Sequence, residues 1–105
     1  MISRVWHGWT VTDNADAYEE LLRKQVFPGI LARKISGFRR IELFRRPVGD
    51  EVEFITVMWF TSLAAVKAFA GEDHETAVVP AAAQALLKRY DPASQHYDVR
   101  VVRET

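Results

Sequence analysis

The sequence predicts an α+β fold of the ferredoxin-like βαββαβ type, in which the helices cover one face of an antiparallel sheet. Four stretches have strand character, and helical stretches separate the first from the second and the third from the fourth. A turn-forming segment joins the second and third. Two right-handed crossovers then give the strand order 4-1-3-2.

The predicted strands are rich in residues that suit a pleated surface. Residues 2–11 are rich in Val, Trp and Thr, and residues 96–102 alternate apolar with polar side chains. Residues 38–46 and 51–60 flank a segment of turn composition at 47–50. We therefore expect these two strands to form a hairpin.

The predicted helices are marked by capping residues and by apolar side chains at helical spacing. The first is capped at residues 13–14 and is expected to end before Pro28. The second follows Ser62 and ends at Gly71, which suits the residue after a helix. A short Ala- and Leu-rich helix begins at Pro80.

Composition indicates a globular protein with one domain over residues 1–105. Of the residues, 49% are apolar and 27% are charged. The 14 basic residues balance the 14 acidic ones, which argues against nucleic acid or a membrane surface as a partner. Without cysteine, disulfides, iron–sulfur clusters and thiolate zinc sites are excluded. We find no signal peptide and no long apolar run, so a cytoplasmic protein is expected.

The third predicted strand indicates a partner. From Phe54 to Phe60 every residue except Thr56 is apolar, so both faces of this strand are expected to be buried. The helices of one chain cover only one of those faces. A second copy of the same sheet would cover the other, which predicts a homodimer with its sheets packed face to face.

Several local strings resemble one protein family. They are Arg4-Val5-Trp6-His7-Gly8, Val26-Phe27-Pro28-Gly29-Ile30, Ser36-Gly37-Phe38, Trp59-Phe60-Thr61-Ser62, Phe69-Ala70-Gly71-Glu72-Asp73 and His96-Tyr97. With the order of elements, they resemble the antibiotic biosynthesis monooxygenase (ABM) domain of the dimeric α+β barrel superfamily. The resemblance covers nearly the whole chain and implies a single ABM-like domain that dimerises into a barrel.

The resemblance also implies a choice of functions, since one fold hosts several activities. The expected function is a cofactor-independent monooxygenase that oxidises a small aromatic, polyketide or quinol-type substrate with O₂. The alternative is a non-catalytic protein, either ligand-binding or stress-associated. Haem degradation is disfavoured, because the family's Asn, Trp and His positions hold His7, Phe69 and Val79 here, and Val cannot coordinate iron.

His7 is the predicted catalytic base. One register of the first and last strands places it opposite Asp98, a carboxylate that would fix the imidazole tautomer and raise its basicity. The alternative is a buried histidine that a backbone carbonyl or Asp98 satisfies as plain structure.

Aromatic and imidazole side chains complete the predicted substrate site: Trp9, Trp59, Phe69, His74 and His96. Because side chains alternate along a strand, we expect Trp9 to face the helices with His7 and Trp6 to face the partner sheet. Core packing is the alternative for Trp59 and Phe69, and an exposed edge is the alternative for His96. No metal is expected, since adjacent residues such as Asp73, His74 and Glu75 diverge on a helix.

Overall fold

The chain forms one antiparallel sheet with helices packed on one of its faces, as described by a computed structural model of residues 1–105. The strands are β1 (Ile2–Val11), β2 (Phe38–Val48), β3 (Glu51–Phe60), β4 (Arg89–Tyr90) and β5 (Gln95–Asp98). The helices are α1 (Ala15–Leu21), α2 (Phe27–Ala32), α3 (Leu63–Ala70) and α4 (Ala81–Gln84).

The strand order confirms the predicted topology. The sheet runs β2-β3-β1, and both β4 and β5 pair with the outer edge of β1. β5 corresponds to the predicted fourth strand, whereas β4 lies before it and was not predicted. β5 ends at Asp98 instead of continuing to residue 102. Pro92 lies between β4 and β5, and it has no N–H group to donate to the β1 backbone.

The helical segment after β1 is longer than predicted. It comprises a 3-10 turn at Thr12–Asn14, then α1, a π-helical turn at Leu22–Val26, and α2. The expectation that it ends before Pro28 is therefore wrong. Pro28 has no N–H to donate to the carbonyl of Lys24, and its ring would clash with that carbonyl in a regular α-helix. The wider π turn directly before α2 relieves this conflict.

The predicted bounds of α3 are confirmed by specific capping contacts. The hydroxyl of Ser62 accepts a hydrogen bond from the backbone N–H of Ala65 at 3.2 Å. Gly71 follows the last helical residue with φ of +88°, a conformation that glycine adopts without strain.

Two groups of buried side chains join the helices to the sheet. One contains Ala15, Tyr18, Leu22, Val52, Phe54 and Ala83, and the other contains Met58, Phe60, Ala65, Val66 and Phe69. All the members from β3 have even numbers, and the Phe54 ring meets Tyr18 of α1 at 4.7 Å between centroids. Because side chains alternate along a strand, the odd-numbered residues of β3 point to the face that no helix covers.

Gly37, just before β2, has no room for a side chain. Its φ is +86°, and a Cβ there would lie 2.5 Å from Thr61 Oγ1 and 2.8 Å from Ala65 Cβ. We expect Gly37→Ala to lower the free energy of unfolding by about 2 kcal/mol or more. In contrast, a Cβ on Gly29 in α2 would meet open space, so Gly29→Ala should stabilise by about 0.5–1 kcal/mol. Urea unfolding measures both changes, and equal effects at the two positions would contradict the steric explanation.

Candidate functional site

The residues predicted to form the site are divided between the two faces of the sheet. The face without helices carries His7, Trp9 and Trp59, whereas the helix side carries Phe69, His74 and His96. Asp98 lies opposite Ile2 at the end of β5, so the register that placed it opposite His7 is wrong. Beside His7 the edge position is taken by the backbone N–H of Asp91, which donates to the His7 carbonyl at 3.0 Å.

The expectation that His7 and Trp9 face the helices is also wrong. Gly8 lies opposite Phe54 in the β1–β3 pair, and Phe54 packs on α1. Residues directly opposite each other point to the same side, so the neighbours of Gly8 point away from the helices. Trp6 takes the helix side instead, where its indole N–H donates to the carbonyl of Asp91 at 2.8 Å.

We call the uncovered surface the open sheet face and define it by strand alternation. It comprises Ser3, Val5, His7, Trp9, Val11, Arg40, Glu42, Phe44, Arg46, Val48, Glu51, Glu53, Ile55, Val57, Trp59, Arg89, Gln95 and Tyr97. Half of these side chains are apolar or aromatic, and the acidic and basic groups among the others lie next to one another. Cations on this face also contact its aromatic rings. The guanidinium of Arg89 lies over the Trp9 ring, 3.9 Å from the ring centroid.

His7 has a carboxylate partner, but it is Glu53. Its Nδ1 lies 3.0 Å from Glu53 Oε2, and Arg46 Nε donates to the other carboxylate oxygen at 2.7 Å. The Arg46 guanidinium and, after it, His7 hold the pKa of the Glu53 carboxyl below its usual range. Glu53 is almost fully buried and was not among the predicted site residues. The only feature of the sequence that could have identified Glu53 is its position, because it is a carboxylate directly before the apolar run of β3.

Glu53→Gln is expected to lower the free energy of unfolding by about 1–2 kcal/mol at neutral pH, because it weakens two charge-assisted hydrogen bonds. Folding lowers the pKa of this carboxyl, so its stabilisation is complete above the unfolded value of about 4.3. The stabilisation is then lost as the pH falls through the lower folded value. The urea midpoints of wild type and variant should therefore differ by a constant amount above about pH 4.3 and converge as the pH falls below it. If the two urea midpoints differed by the same amount at every pH, the charge of Glu53 would have no part in the stabilisation.

A cavity lies between the sheet and the helices, and we call it the helix-face cavity. Its enclosed volume is about 60 Å³, and its walls include Trp6, Tyr18, Leu22, Met58 and Phe69. A surface groove of about 380 Å³ shares part of this lining, namely Val26, Ile30, Phe69, Val78 and Pro80. We call this groove the mouth groove, because these five residues place it directly beside the cavity.

Arg4 is the only charged side chain in the lining of this cavity. It is 3% exposed, and burial lowers its pKa. Its guanidinium donates to the carbonyls of His74 and Thr76 and to Nε2 of His96, at 3.0 Å for the last. Because arginine only donates, His96 Nε2 must accept, which leaves the His96 proton on Nδ1. Burial and then the charge of Arg4 lower the pKa of His96, which favours this neutral form.

Two other groups beside Arg4 have free hydrogen-bonding capacity. Tyr18 lines the cavity, its hydroxyl has no hydrogen-bond partner in the protein, and burial raises its pKa, so it stays a donor. His74 lies against His96, with 5.2 Å between ring centroids. Its Nδ1 donates to the carbonyl of Glu72 at 3.3 Å, which leaves Nε2 as a hydrogen-bond acceptor without a partner in the protein.

The structure brings together only part of the predicted site. Phe69, His74 and His96 surround Arg4, and Arg4 lies 5.5 Å from the centre of the Phe69 ring. No three His, Asp or Glu side chains gather in a way that could hold a metal ion. None of the helices is long and apolar enough to span a membrane. The arrangement combines an apolar cavity, a buried cation, a phenol donor and a nearby imidazole acceptor.

Comparisons with known proteins identify the fold. No family profile and no curated protein matches the sequence. Among solved structures, the chain is similar to a putative antibiotic biosynthesis monooxygenase from Bacillus cereus. The TM-score is 0.70 at 14% identity, with 99% of this chain and 97% of that chain covered. It is also similar to Rv0793 from Mycobacterium tuberculosis, with a TM-score of 0.52 at 19% identity and coverage of 98% and 96%. These likenesses confirm the predicted ABM-like fold.

Proposed function

We propose that the protein binds a small aromatic substrate in the helix-face cavity and oxidises it with O₂, without a cofactor. The cavity is the observation that carries this proposal, because it is largely apolar, has aromatic walls at Trp6 and Phe69, and opens to solvent. The fold supports it too, since the chain shares it with the putative antibiotic biosynthesis monooxygenase from Bacillus cereus.

The proposed reaction uses the substrate's own acidity. An aromatic carbon acid loses a proton, its carbanion passes an electron to O₂, and the two radicals combine. One oxygen atom stays on the carbon as a quinone carbonyl, and the other leaves as water with the two hydrogens that the carbon has lost. Tyr18, which lines the cavity, is proposed as the donor to the substrate oxygen. His74 does not line the cavity but lies next to Arg4 and His96 on the same face of the sheet, and it is proposed as the acceptor of the first proton. His7 and Asp98, the residues predicted for proton transfer, lie outside this cavity.

A non-catalytic ligand-binding protein is the second candidate. The enclosed part of the cavity, about 60 Å³, is small, and the predicted base His7 lies on the opposite face of the sheet. In this case the same cavity would hold a ligand without oxidising it.

Oxygen uptake separates the two candidates. With dithranol, an anthrone whose ring CH₂ can lose two hydrogens and gain one oxygen atom, we expect uptake faster than uncatalysed autoxidation and formation of the anthraquinone. Val78→Trp should abolish the acceleration by filling the mouth, and the fold should tolerate it because Val78 is half exposed. Leu63→Trp, at an exposed apolar position outside the mouth, is the matched control and should keep the rate. Binding of dithranol without acceleration would favour the second candidate.

We also propose that the protein is a homodimer in which the two open sheet faces pack together. Phe44 and Tyr97 on this face are 50% and 57% exposed in the single chain. Large apolar side chains left exposed on a sheet face that no helix covers are typical of an interaction site. Its charged residues His7, Glu53 and Arg46 already pair with one another, so a partner could bury them without leaving an isolated charge.

A further inference from the structure

We propose that the helix-face cavity selects a ligand with one anionic oxygen group, a carboxylate or an ionised phenol, and that the guanidinium of Arg4 binds this group. The inference rests on the proposed function in one respect, namely that the helix-face cavity is the ligand site. It adds the chemical class of the ligand and the residue that recognises it.

The positive charge of Arg4 has no counterion in the protein. Its hydrogen-bond partners are two backbone carbonyls and a neutral imidazole, and none of them has a formal negative charge. Glu75 lies in the same segment as the two carbonyls, but it forms no ion pair with Arg4. A buried charge is costly unless an opposite charge compensates it. The dipoles around Arg4 hold the guanidinium in place and leave its charge available to a ligand.

The other arginines show how unusual this position is. Those with acidic partners are all more exposed than Arg4: Arg23 with Glu19, Arg40 with Glu42, Arg45 with Asp16 and Glu19, Arg46 with Glu53, and Arg89 with Glu51. Surface pairs of this kind contribute little, because water already screens the charges. Arg4, the buried arginine for which a counterion matters most, has none.

The remaining lining indicates what the rest of the ligand is like. The enclosed volume of about 60 Å³ has room for a small head group, and the mouth groove of about 380 Å³ has room for a ring. The Tyr18 hydroxyl, which has no partner, provides a second donor in the same cavity. Arg4 is the only cation that lines the cavity itself, so the cavity compensates one negative charge. Arg33 lines the mouth groove, where its guanidinium donates to the carbonyls of Ala68 and Phe69. The ligand class is thus an apolar molecule with one anionic group in the cavity.

Ligand titrations followed by the indole N–H signals in ¹H–¹⁵N spectra test this inference. Trp6 lines the cavity, while Trp9 and Trp59 lie on the open sheet face and provide internal controls. The probes are benzoate against benzamide, which has the same ring without the charge, and 4-nitrophenol above and below its own ionisation. We expect the ionised member of a pair to bind at least about tenfold more tightly than its neutral counterpart.

Variants assign the preference to Arg4. Arg4→Met should reduce the benzoate-to-benzamide ratio to within about twofold, and Arg4→Lys should retain part of it. Arg23→Met removes the same charge from an exposed position and should keep the full preference. If Arg4→Met does not fold, the wild-type probe pairs and Arg4→Lys still decide the question.

The outcomes distinguish this inference from the proposed function. Equal affinity of wild type for each charged probe and its neutral counterpart would overturn the role of Arg4, while the cavity would remain a ligand site. No shift of the Trp6 signal with any probe would overturn both. A preference confined to benzoate or to 4-nitrophenolate would support the inference and identify which anionic group the cavity takes.

Discussion

Val57→Glu is expected to convert the proposed homodimer into monomers. Val57 lies on the open sheet face in the middle of β3, directly between Val5 of β1 and Glu42 of β2. In the proposed dimer, both copies would bury the new carboxylate without a cation to pair with it. We expect the dissociation constant to rise at least about 100-fold. Sedimentation velocity at micromolar concentration would measure the change.

Leu31→Glu is the matched control for this experiment. Leu31 is an apolar residue of α2 that is 56% exposed and lies outside the open sheet face, so the variant should remain a dimer. Circular dichroism should show that Val57→Glu stays folded, because Val57 is not part of either buried group. A folded Val57→Glu protein that is still dimeric, or a monomeric wild type, would refute the proposed packing of the two faces.

Leu22→Ala is expected to lower the free energy of unfolding by about 2–5 kcal/mol, because the truncation leaves a hole beside the helix-face cavity. Leu22 is 4% exposed and packs with Tyr18 and Phe54 against the sheet. For a domain of this size, about 2 kcal/mol corresponds to a fall in Tm of roughly 8 °C or more. Thermal unfolding followed by circular dichroism is the measurement.

Leu31→Ala provides the comparison for Leu22→Ala, since it makes the same truncation on the same helical segment. Because Leu31 is exposed, its loss should cost less than about 0.5 kcal/mol. The two residues lie on either side of Phe27 and Pro28, so the contrast also tests the helix register across the π turn. Similar losses at both positions would show that this register is wrong.

Much of the fold was predictable because the relevant signals are local. The bounds of β1 and β3 agree with the predicted ones, since residue types alone mark these strands. Ser62 and Gly71 mark the ends of α3 by capping chemistry that depends on a few neighbouring residues. Pro28 gave the wrong end for the first helix. Beyond it the helix is kept by tertiary packing, in which Phe27 and Ile30 contact the two buried groups.

The site was less predictable, because it depends on which face of β1 the helices cover. Alternation separates the side chains into two sets but does not say which set is covered. Both sets contain a tryptophan, Trp6 and Trp9, so composition did not decide between them. In the sequence, Arg4 is marked only as the one charged residue on the face of β1 that also carries Gly8 and Thr10. Its carbonyl partners lie about 70 positions away, at a distance that no local pattern reports.

The spacing of Arg4 and His7 on β1 has a consequence for length variation. The two residues are three positions apart and point to opposite faces, one to the cavity and one to the open sheet face. Inserting or deleting one residue between them would turn one of the two side chains to the wrong face, whereas a change of two residues would preserve both. The constraint is therefore one of parity. Any relative that keeps an arginine in the cavity and a histidine on the open sheet face must therefore have the two residues an odd number of positions apart. An insertion or deletion of one residue is compatible with this only if it lies outside the segment between them.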